Sequence, residues 1–438
     1  MNKYSWPGKE NWPNWQRVIF RFFFIYFLLY IAPWTWIEFI PGGNYLTKYY
    51  YQFMDWCVEA ANAGLFHVRK ELVYPNGSGD TSYNWVQLWF LLSVSGIGTI
   101  TWSLFNNKHS NYNFPAYWLR IVIRYFVIIN CFGYGLIKIF CLQMPFPSLS
   151  QLATPLGDYL PMRFSWMFMG YSTHYQMFSG VMEVLAGVFL LFRRTATFGT
   201  LMALGVFINI TMLNLSFDIP VKLFSMHLVL LCMVLLAFEY KRLLAFFIKN
   251  TPTGTGNLYE VSYEKKWQRI SKWILKLAFI IIIAILPIKD NWDRYKMVNN
   301  QPDNLSIREG VYNVQQFIMN SDTLAFNNAD TLQWKDIIFE RNGTGSINSA
   351  DTIFRRRYGR GYFNYAADTI NRTVLFSKRS LTGEKDSLFQ LQYEIPDSTS
   401  VILKGLLRTD SVYVVLKRTK RHFQLAERQF HWLSEYNR

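Results

Sequence analysis

Seven runs of apolar residues, at about 18–38, 84–105, 116–141, 171–193, 196–215, 221–240 and 269–288, follow one another through the first two thirds of the chain. Each is close to the roughly 20 residues that cross the hydrocarbon core of a bilayer as a helix. Lipid offers no hydrogen bonds, so runs of this kind fold as α-helices that satisfy their own backbone. The first run is too long for the apolar part of a cleaved signal peptide, and it leads into Pro33-Trp34-Thr35-Trp36, an aromatic interfacial belt. An α-helical polytopic membrane bundle of about seven helices is expected over residues 1–289.

Past Asp290 the texture changes. Short alternating runs such as Val311-Tyr312-Asn313-Val314 and Val412-Tyr413-Val414-Val415-Leu416 have the period of half-buried strands. Asp-Thr or Asp-Ser pairs punctuate them at Asp322, Asp330, Asp351, Asp368, Asp386, Asp397 and Asp410. Aspartate in such pairs closes Asx-turns, and the spacing suits a meander. An all-β antiparallel barrel or sandwich of about eight strands is expected over residues 290–438.

The formal charge of +16 invites a nucleic-acid reading, but the placement of the cations argues for membrane topology instead. Lys3, Lys9 and Arg17 precede the first run, and Lys108 lies between the second and third. Arg193 and Arg194 separate the fourth from the fifth, and Lys241, Arg242, Lys249, Lys265, Lys266 and Arg269 fill the stretch before the last. With alternating spans these all fall on one side. The positive-inside rule then expects an inner-membrane protein with its N-terminus inside and its β domain periplasmic. Arg120 and Arg124, just inside the third run, are expected to snorkel to the inner interface.

Two connections have their own character. Residues 41–83 are aromatic and charged, as in an amphipathic helix lying on a membrane. Residues 142–170 combine Pro145, Pro147, Pro155 and Pro161 with Met162, Trp166, Met167 and Met169, so a segment dipping into the outer interface and capping the bundle is expected. Cys131 and Cys141 are too far apart on one helix to bridge, and the β domain has no cysteine. No metal-ligand spacing is present, and Thr251-Pro252-Thr253-Gly254-Thr255-Gly256 lacks the lysine of a phosphate-binding loop.

The chemistry-bearing residues stand inside the apolar runs. Lys138 lies in Tyr134-Gly135-Leu136-Ile137-Lys138-Ile139-Phe140, and Glu183 in Met182-Glu183-Val184-Leu185. A charge in hydrocarbon costs roughly 3 kcal/mol, so each should face a cavity or a partner. Tyr134 shares the helical face of Lys138, Asn209 lies in the fifth run and His227 in the sixth, all in the outer half of the membrane. Counted from the helix ends at about 1.5 Å per residue, Lys138 and Glu183 stand some 10 Å apart in depth, which leaves a direct salt bridge open. Interhelical hydrogen bonds are the competing account of Asn130, Asn209 and Cys131, and a satisfied packing role is that of His227. In the second domain, Arg355-Arg356-Arg357-Tyr358-Gly359-Arg360 suits docking of an acidic partner or lipid headgroups, or an edge that repels other sheets. Tyr358, Tyr362, Phe363, Phe423, Phe430 and Trp432 are expected on the outer surface beside it.

Gly135-x-x-Lys138, then Glu183-x-x-x-Gly187 running to Arg193-Arg194, then an Asn-bearing span resemble the DoxX family over about residues 116–240. The whole chain is similar to long DoxX-like membrane proteins of Bacteroidetes that add an outer β-rich domain. The resemblance implies a four-helix membrane core and association with quinone-linked oxidation or membrane oxidoreductase complexes. Met226-His227-Leu228 after the same lysine and glutamate also distantly resembles the membrane domain of vitamin K-dependent carboxylase-like proteins, which implies Lys138 as a base. Two functions stay open. One is a redox-associated subunit in which Lys138, Glu183 and His227 meet a quinone. The other is a non-catalytic envelope or secretion component that docks membrane or envelope proteins through its β domain.

Overall fold

The computed structural model describes residues 12–77, 79–105, 112–254, 265–300, 306–320, 322–323, 333–378, 386–428 and 432. In chain order the helices are α1 (Asn14–Ile31), α2 (Asn44–Ala61), α3 (Ser82–Phe105), α4 (Asn113–Ile139), α5 (Leu149–Leu152), α6 (Pro161–Tyr171), α7 (Thr173–Leu191), α8 (Ala196–Ser216), α9 (Lys222–Ala237), α10 (Tyr240–Phe247), α11 (Lys266–Ile280) and α12 (Leu286–Asn299). The chain divides into two compact units, Met1–Met144 with Thr173–Asp293 and Pro145–Ser172 with Arg294–Arg438.

The first unit is the helical bundle of a membrane protein. Among the described residues six helices are long and apolar enough to cross a bilayer, and a seventh counts if α9 and α10, bent by 83° at their junction, form one span. Chemistry at the ends sets the limits of each. α1 stops where Ala32 turns left-handed ahead of Pro33, and a 3-10 segment Pro33–Phe39 continues it. The last span is a single rod, α11 and α12 joined by a π-turn at Ile281–Ile285. Pro287 follows, and its ring clashes with the carbonyl four residues back, which widens the helix there. Asp80 caps α9 from across the fold, accepting from the backbone N–H groups of Lys222 (2.6 Å) and Leu223 (2.9 Å). Phe27, Val58, Val86, Ile123, Val127, Leu190 and Leu231 fill the centre. Met54 and Val58 of α2 join that core, while Tyr45, Tyr49, Phe53 and Trp56 stay exposed, so α2 is amphipathic as its composition suggests. All four cysteines are free.

The second unit is a closed antiparallel barrel. Its strands are β1 (Gly310–Met319), β2 (Asp322–Thr323), β3 (Asp336–Phe339), β4 (Thr344–Ile347), β5 (Arg355–Arg357), β6 (Arg360–Asp368), β7 (Thr373–Lys378), β8 (Ser387–Asp397), β9 (Ser400–Leu407) and β10 (Asp410–Arg418). The order β1-β3-β4-β6-β7-β8-β9-β10 closes because β10 pairs back onto β1, leaving β2 and β5 as short additions on β1 and β6. Eight strands enclose an interior that side chains can just fill. Here Trp334, Phe317, Phe339, Phe363, Phe376 and Phe389 fill it. Three of the expected aspartate turns form: Asp351, Asp368 and Asp397 each accept from the N–H two residues on, whereas Asp410 accepts from Asn320 Nδ2 at 2.6 Å instead. Asp330 lies outside the described residues, as does the side chain of Asp322.

Pro145–Ser172, the segment expected to dip into the outer interface, belongs to the barrel's compact unit. Ser148 opens α5 with a capping box closed by Gln151. Ala153 packs with Val311 and Ile338 of the barrel, and Ser150 N donates to Glu340 Oε1 at 3.0 Å. The ring of Tyr159 lies 5.0 Å from that of Tyr358, whose hydroxyl accepts from Arg163 Nε at 3.3 Å.

The arginine cluster also splits. Arg355, Arg356 and Arg357 are exposed on β5, but Arg360 is buried, its Nε donating to Ser346 Oγ at 2.8 Å and its guanidinium pairing with Asp336. The hairpin turn at Tyr358-Gly359, both at positive φ, leads from β5, which pairs only with β6, into β6, which also pairs with β4 and so brings Arg360 to Ser346. Phe363, expected outside, is core, and Phe430 lies outside the described residues.

Candidate functional site

Lys138 and Glu183 meet directly. The Lys138 ammonium donates to Glu183 Oε1, and the two side chains are 6% and 0% exposed. They sit on a close seam between α4 and α7. Gly135 and Lys138 of α4 and Gly180, Glu183 and Gly187 of α7 recur at three- and four-residue steps, which places each set on one helix face. A Cβ at Gly180 would stand 2.5 Å from the carbonyl oxygen of Gly135, and one at Gly135 would stand 2.8 Å from that of Gly180. Gly187 presses on Phe132 and Cys131 in the same way, at 3.0 and 3.1 Å. Small residues let helices approach to backbone contact, and that approach brings the ion pair within reach.

The depth offset expected from counting residues does not keep the charges apart. α4 ends at Ile139, but α7 overshoots it, and Gln176 clasps the chain beyond. Met144 N donates to Gln176 Oε1 at 3.0 Å, and Gln176 Nε2 donates to Met144 O at 3.0 Å. This overshoot lifts Glu183 beside Gly135, 3.1 Å from where a Cβ would stand. One oxygen of the pair is left over. Glu183 Oε2 is buried without a hydrogen-bond partner among the described residues.

The remaining expected site residues go elsewhere. His227 is buried, but its own neighbours use both ring nitrogens. Its Nδ1 lies 2.6 Å from Leu223 O, an acceptor, so Nδ1 carries the proton and Nε2 accepts from the Tyr26 hydroxyl at 2.5 Å. The ring also stacks on Tyr30, centroids 4.1 Å apart. This is a satisfied packing histidine held by α1. Asn209 is exposed on the outside of α8. Tyr134 is 40% exposed, with its ring 6.1 Å from that of Phe224. Asn130 donates to Phe126 O of its own helix at 2.9 Å.

Several buried polar residues escaped the sequence reading. Asn214 donates to Ser225 Oγ at 3.0 Å and is the buried asparagine of α8 that Asn209 is not. Arg21, inside the first run, is buried, with Nε 2.9 Å from Tyr112 Oη and Nη1 2.6 Å from Ser103 Oγ. An arginine among phenylalanines was a visible signal. Asp80 gave none, since its partners lie 142 and 143 residues away.

No family model matches the chain, and no solved structure matches it significantly. Over 124 residues it is 33% identical to the uncharacterized protein YwoB of Bacillus subtilis (strain 168), covering 79% of that protein and 28% of this chain. The chain belongs to the YwoB family. YwoB itself has little more than a third of this chain's length, so the two-unit architecture extends beyond what YwoB has room for.

At the site, then, an ammonium and a carboxylate are buried together with one carboxylate oxygen still open. Such a pair can donate to and accept from one small polar group at once, in surroundings where hydrogen bonds are strong. Among the described residues no three His, Cys, Asp or Glu side chains cluster as a metal site would require.

Proposed function

We propose that this protein is a DoxX-like subunit of a bacterial inner membrane, in which the Lys138–Glu183 pair binds and exchanges protons with a quinone-type carbonyl ring. The observation that carries the reading is the unpartnered Oε2 of Glu183 within a buried ion pair. A ring carbonyl would accept from the Lys138 ammonium, and a hydroquinone hydroxyl would donate to Glu183 Oε2. The cations gathered on the linkers of the helical unit support a cytoplasmic N-terminus and a periplasmic barrel by the positive-inside rule.

The test uses the full chain in nanodiscs of zwitterionic lipid, titrated with a short-chain quinone. Saturable binding should weaken by at least about tenfold in Lys138→Met, the size expected for a charge-assisted hydrogen bond. Binding equal in both proteins, or absent from the parent, overturns the reading.

The exposed Arg355, Arg356 and Arg357 on β5 favour a second reading, an envelope component whose barrel docks an acidic protein surface. A stoichiometric partner that co-purifies with the parent and is lost on reversing those three charges supports it. A clean monomer in mild detergent counts against it.

A further inference from the structure

The span α8 carries two glycines and two asparagines, and the bundle uses one of each. Gly199 is buried, and a Cβ there would stand 2.8 Å from Leu190 N and 3.0 Å from Ala186 O, so its smallness lets α8 close on α7. Asn214 is buried and donates to Ser225 Oγ of α9 at 3.0 Å. Gly205 and Asn209 face the other way. Both are exposed, and a Cβ at Gly205 would meet nothing within 4 Å. The side chain of Asn209 has no hydrogen-bond partner among the described residues. Asn130 of α4, by contrast, donates to the carbonyl of Phe126 one turn back.

Depth makes a bare amide costly. Asn209 stands about 10 Å from the Ser216 end of α8 and about 20 Å from the Ala196 end, inside a hydrocarbon core of about 30 Å. Lipid tails offer an amide nothing to bond. The surrounding pattern says what would meet it. Gly205 and Asn209 lie one turn apart, and Ile208, Met212 and Ser216 form the neighbouring row at four-residue steps, all exposed. No charged residue stands in α8, so this face suits an apolar helix that brings one group complementary to an amide.

A glycine inside a helix lowers its stability relative to alanine, yet nothing in the chain requires Gly205 to be small. Small residues on a lipid-facing turn let a second helix approach to backbone contact. Asparagine carries donors and an acceptor in one group, so it is complementary to a copy of itself. Two copies of one chain enter the membrane the same way round. A two-fold axis along the bilayer normal therefore lays their α8 helices parallel and brings like residues together.

We propose that the Gly205–Asn209 face of α8 is an interface on which two copies of this chain pair within the membrane, each Asn209 amide donating to the carbonyl oxygen of its counterpart.

The experiment follows energy transfer between full-length copies fused at the N-terminus to donor or acceptor fluorescent proteins, in phosphatidylcholine vesicles over a range of protein-to-lipid ratios. Transfer should rise with that ratio and saturate, as for a reversible dimer. Asn209→Leu should weaken pairing about five- to tenfold, the effect of losing two interhelical amide bonds. Gly205→Leu, which holds the backbones apart, should weaken it at least as much. Gly133→Leu, at an equally open glycine of α4, should leave it unchanged. In excess detergent, where copies are apart, Asn209→Leu should unfold at no lower temperature than the parent, which separates lost pairing from lost folding. Earlier unfolding would mean that the amide is bonded within its own chain, and it overturns the proposal. A parent that stays monomeric at every ratio overturns it too, as does pairing unchanged in Asn209→Leu. An equal loss in Gly133→Leu also counts against it, because the contact would then not belong to this face of α8.

Discussion

Lys138 on α4 and Glu183 on α7 form a buried ion pair beside the point where Gly135 and Gly180 bring the two helix backbones into contact. The glycines and the charges act together. Without the close approach the ammonium could not be held in place against the carboxylate, and without the pairing each charge would face an apolar core alone.

Removing one partner should be worse than removing both. Lys138→Met or Glu183→Leu alone leaves a buried charged group unmatched and should cost about 3–5 kcal/mol. The double variant Lys138→Met/Glu183→Leu should recover much of that loss. Chemical or thermal unfolding in detergent, run as a double-mutant cycle, reads the coupling. Additive single costs would mean that the pair is not coupled.

The seam itself can be tested with one methyl group. Gly180→Ala places a carbon 2.5 Å from Gly135 O, whereas Gly133 on the same helix as Gly135 has nothing within 4 Å of its Cβ position. Gly180→Ala should destabilise by about 1–3 kcal/mol through overpacking. Gly133→Ala should be neutral or slightly stabilising through helix propensity. Equal melting temperatures for the two variants would remove the steric argument.

In the barrel, Arg360 and Arg356 should behave as opposites despite their shared motif. Arg360→Met leaves Asp336 without its partner at a site where the arginine side chain is 5% exposed, and should cost about 3 kcal/mol. Arg356→Ala on exposed β5 should change stability by no more than about 0.5 kcal/mol. Denaturant midpoints of the two variants check this directly.

Asp397 gives the barrel an acid sensitivity of known sign. The side chain and backbone N–H of Thr399 hold its carboxyl down to about 2 from an ordinary 3.8. A carboxyl depressed in the folded state contributes stability above its unfolded value and loses it as pH falls through its folded value. The difference in melting temperature between the parent and Asp397→Asn should therefore shrink as pH falls from 3.8 towards 2. A difference that stays constant over that window would mean that the turn does not hold the carboxylate.

Much of the architecture was legible because it is local. Run length marks a span, and alternation with aspartate turns marks a strand, so bundle and barrel were both readable. Lys138 and Glu183 also announced themselves as charges in apolar runs. Their meeting was not legible, because helix depth counted from span ends cannot show that Gln176 carries α7 past the end of α4. Asn209 and Asn214 illustrate the same limit: both are asparagines of one apolar helix, and only packing decides which turns inward. That Pro145–Ser172 joins the barrel's unit was not legible either, because its partners are distant in sequence, as Glu340 is from Ser150 by 190 residues. Closure of the barrel depended on β10 finding β1, a pairing no local pattern encodes.

The open oxygen of Glu183 is proposed here as a ligand-binding group. Infrared difference spectroscopy of the full chain in nanodiscs, before and after addition of a short-chain quinone, tests it most directly, with Glu183→Gln identifying the carboxylate band. The expected result is a shifted Glu183 band that appears at the same quinone concentration as binding and is lost in Lys138→Met. A band unmoved at saturating quinone would contradict the account and leave the pair as a fastening between two helices.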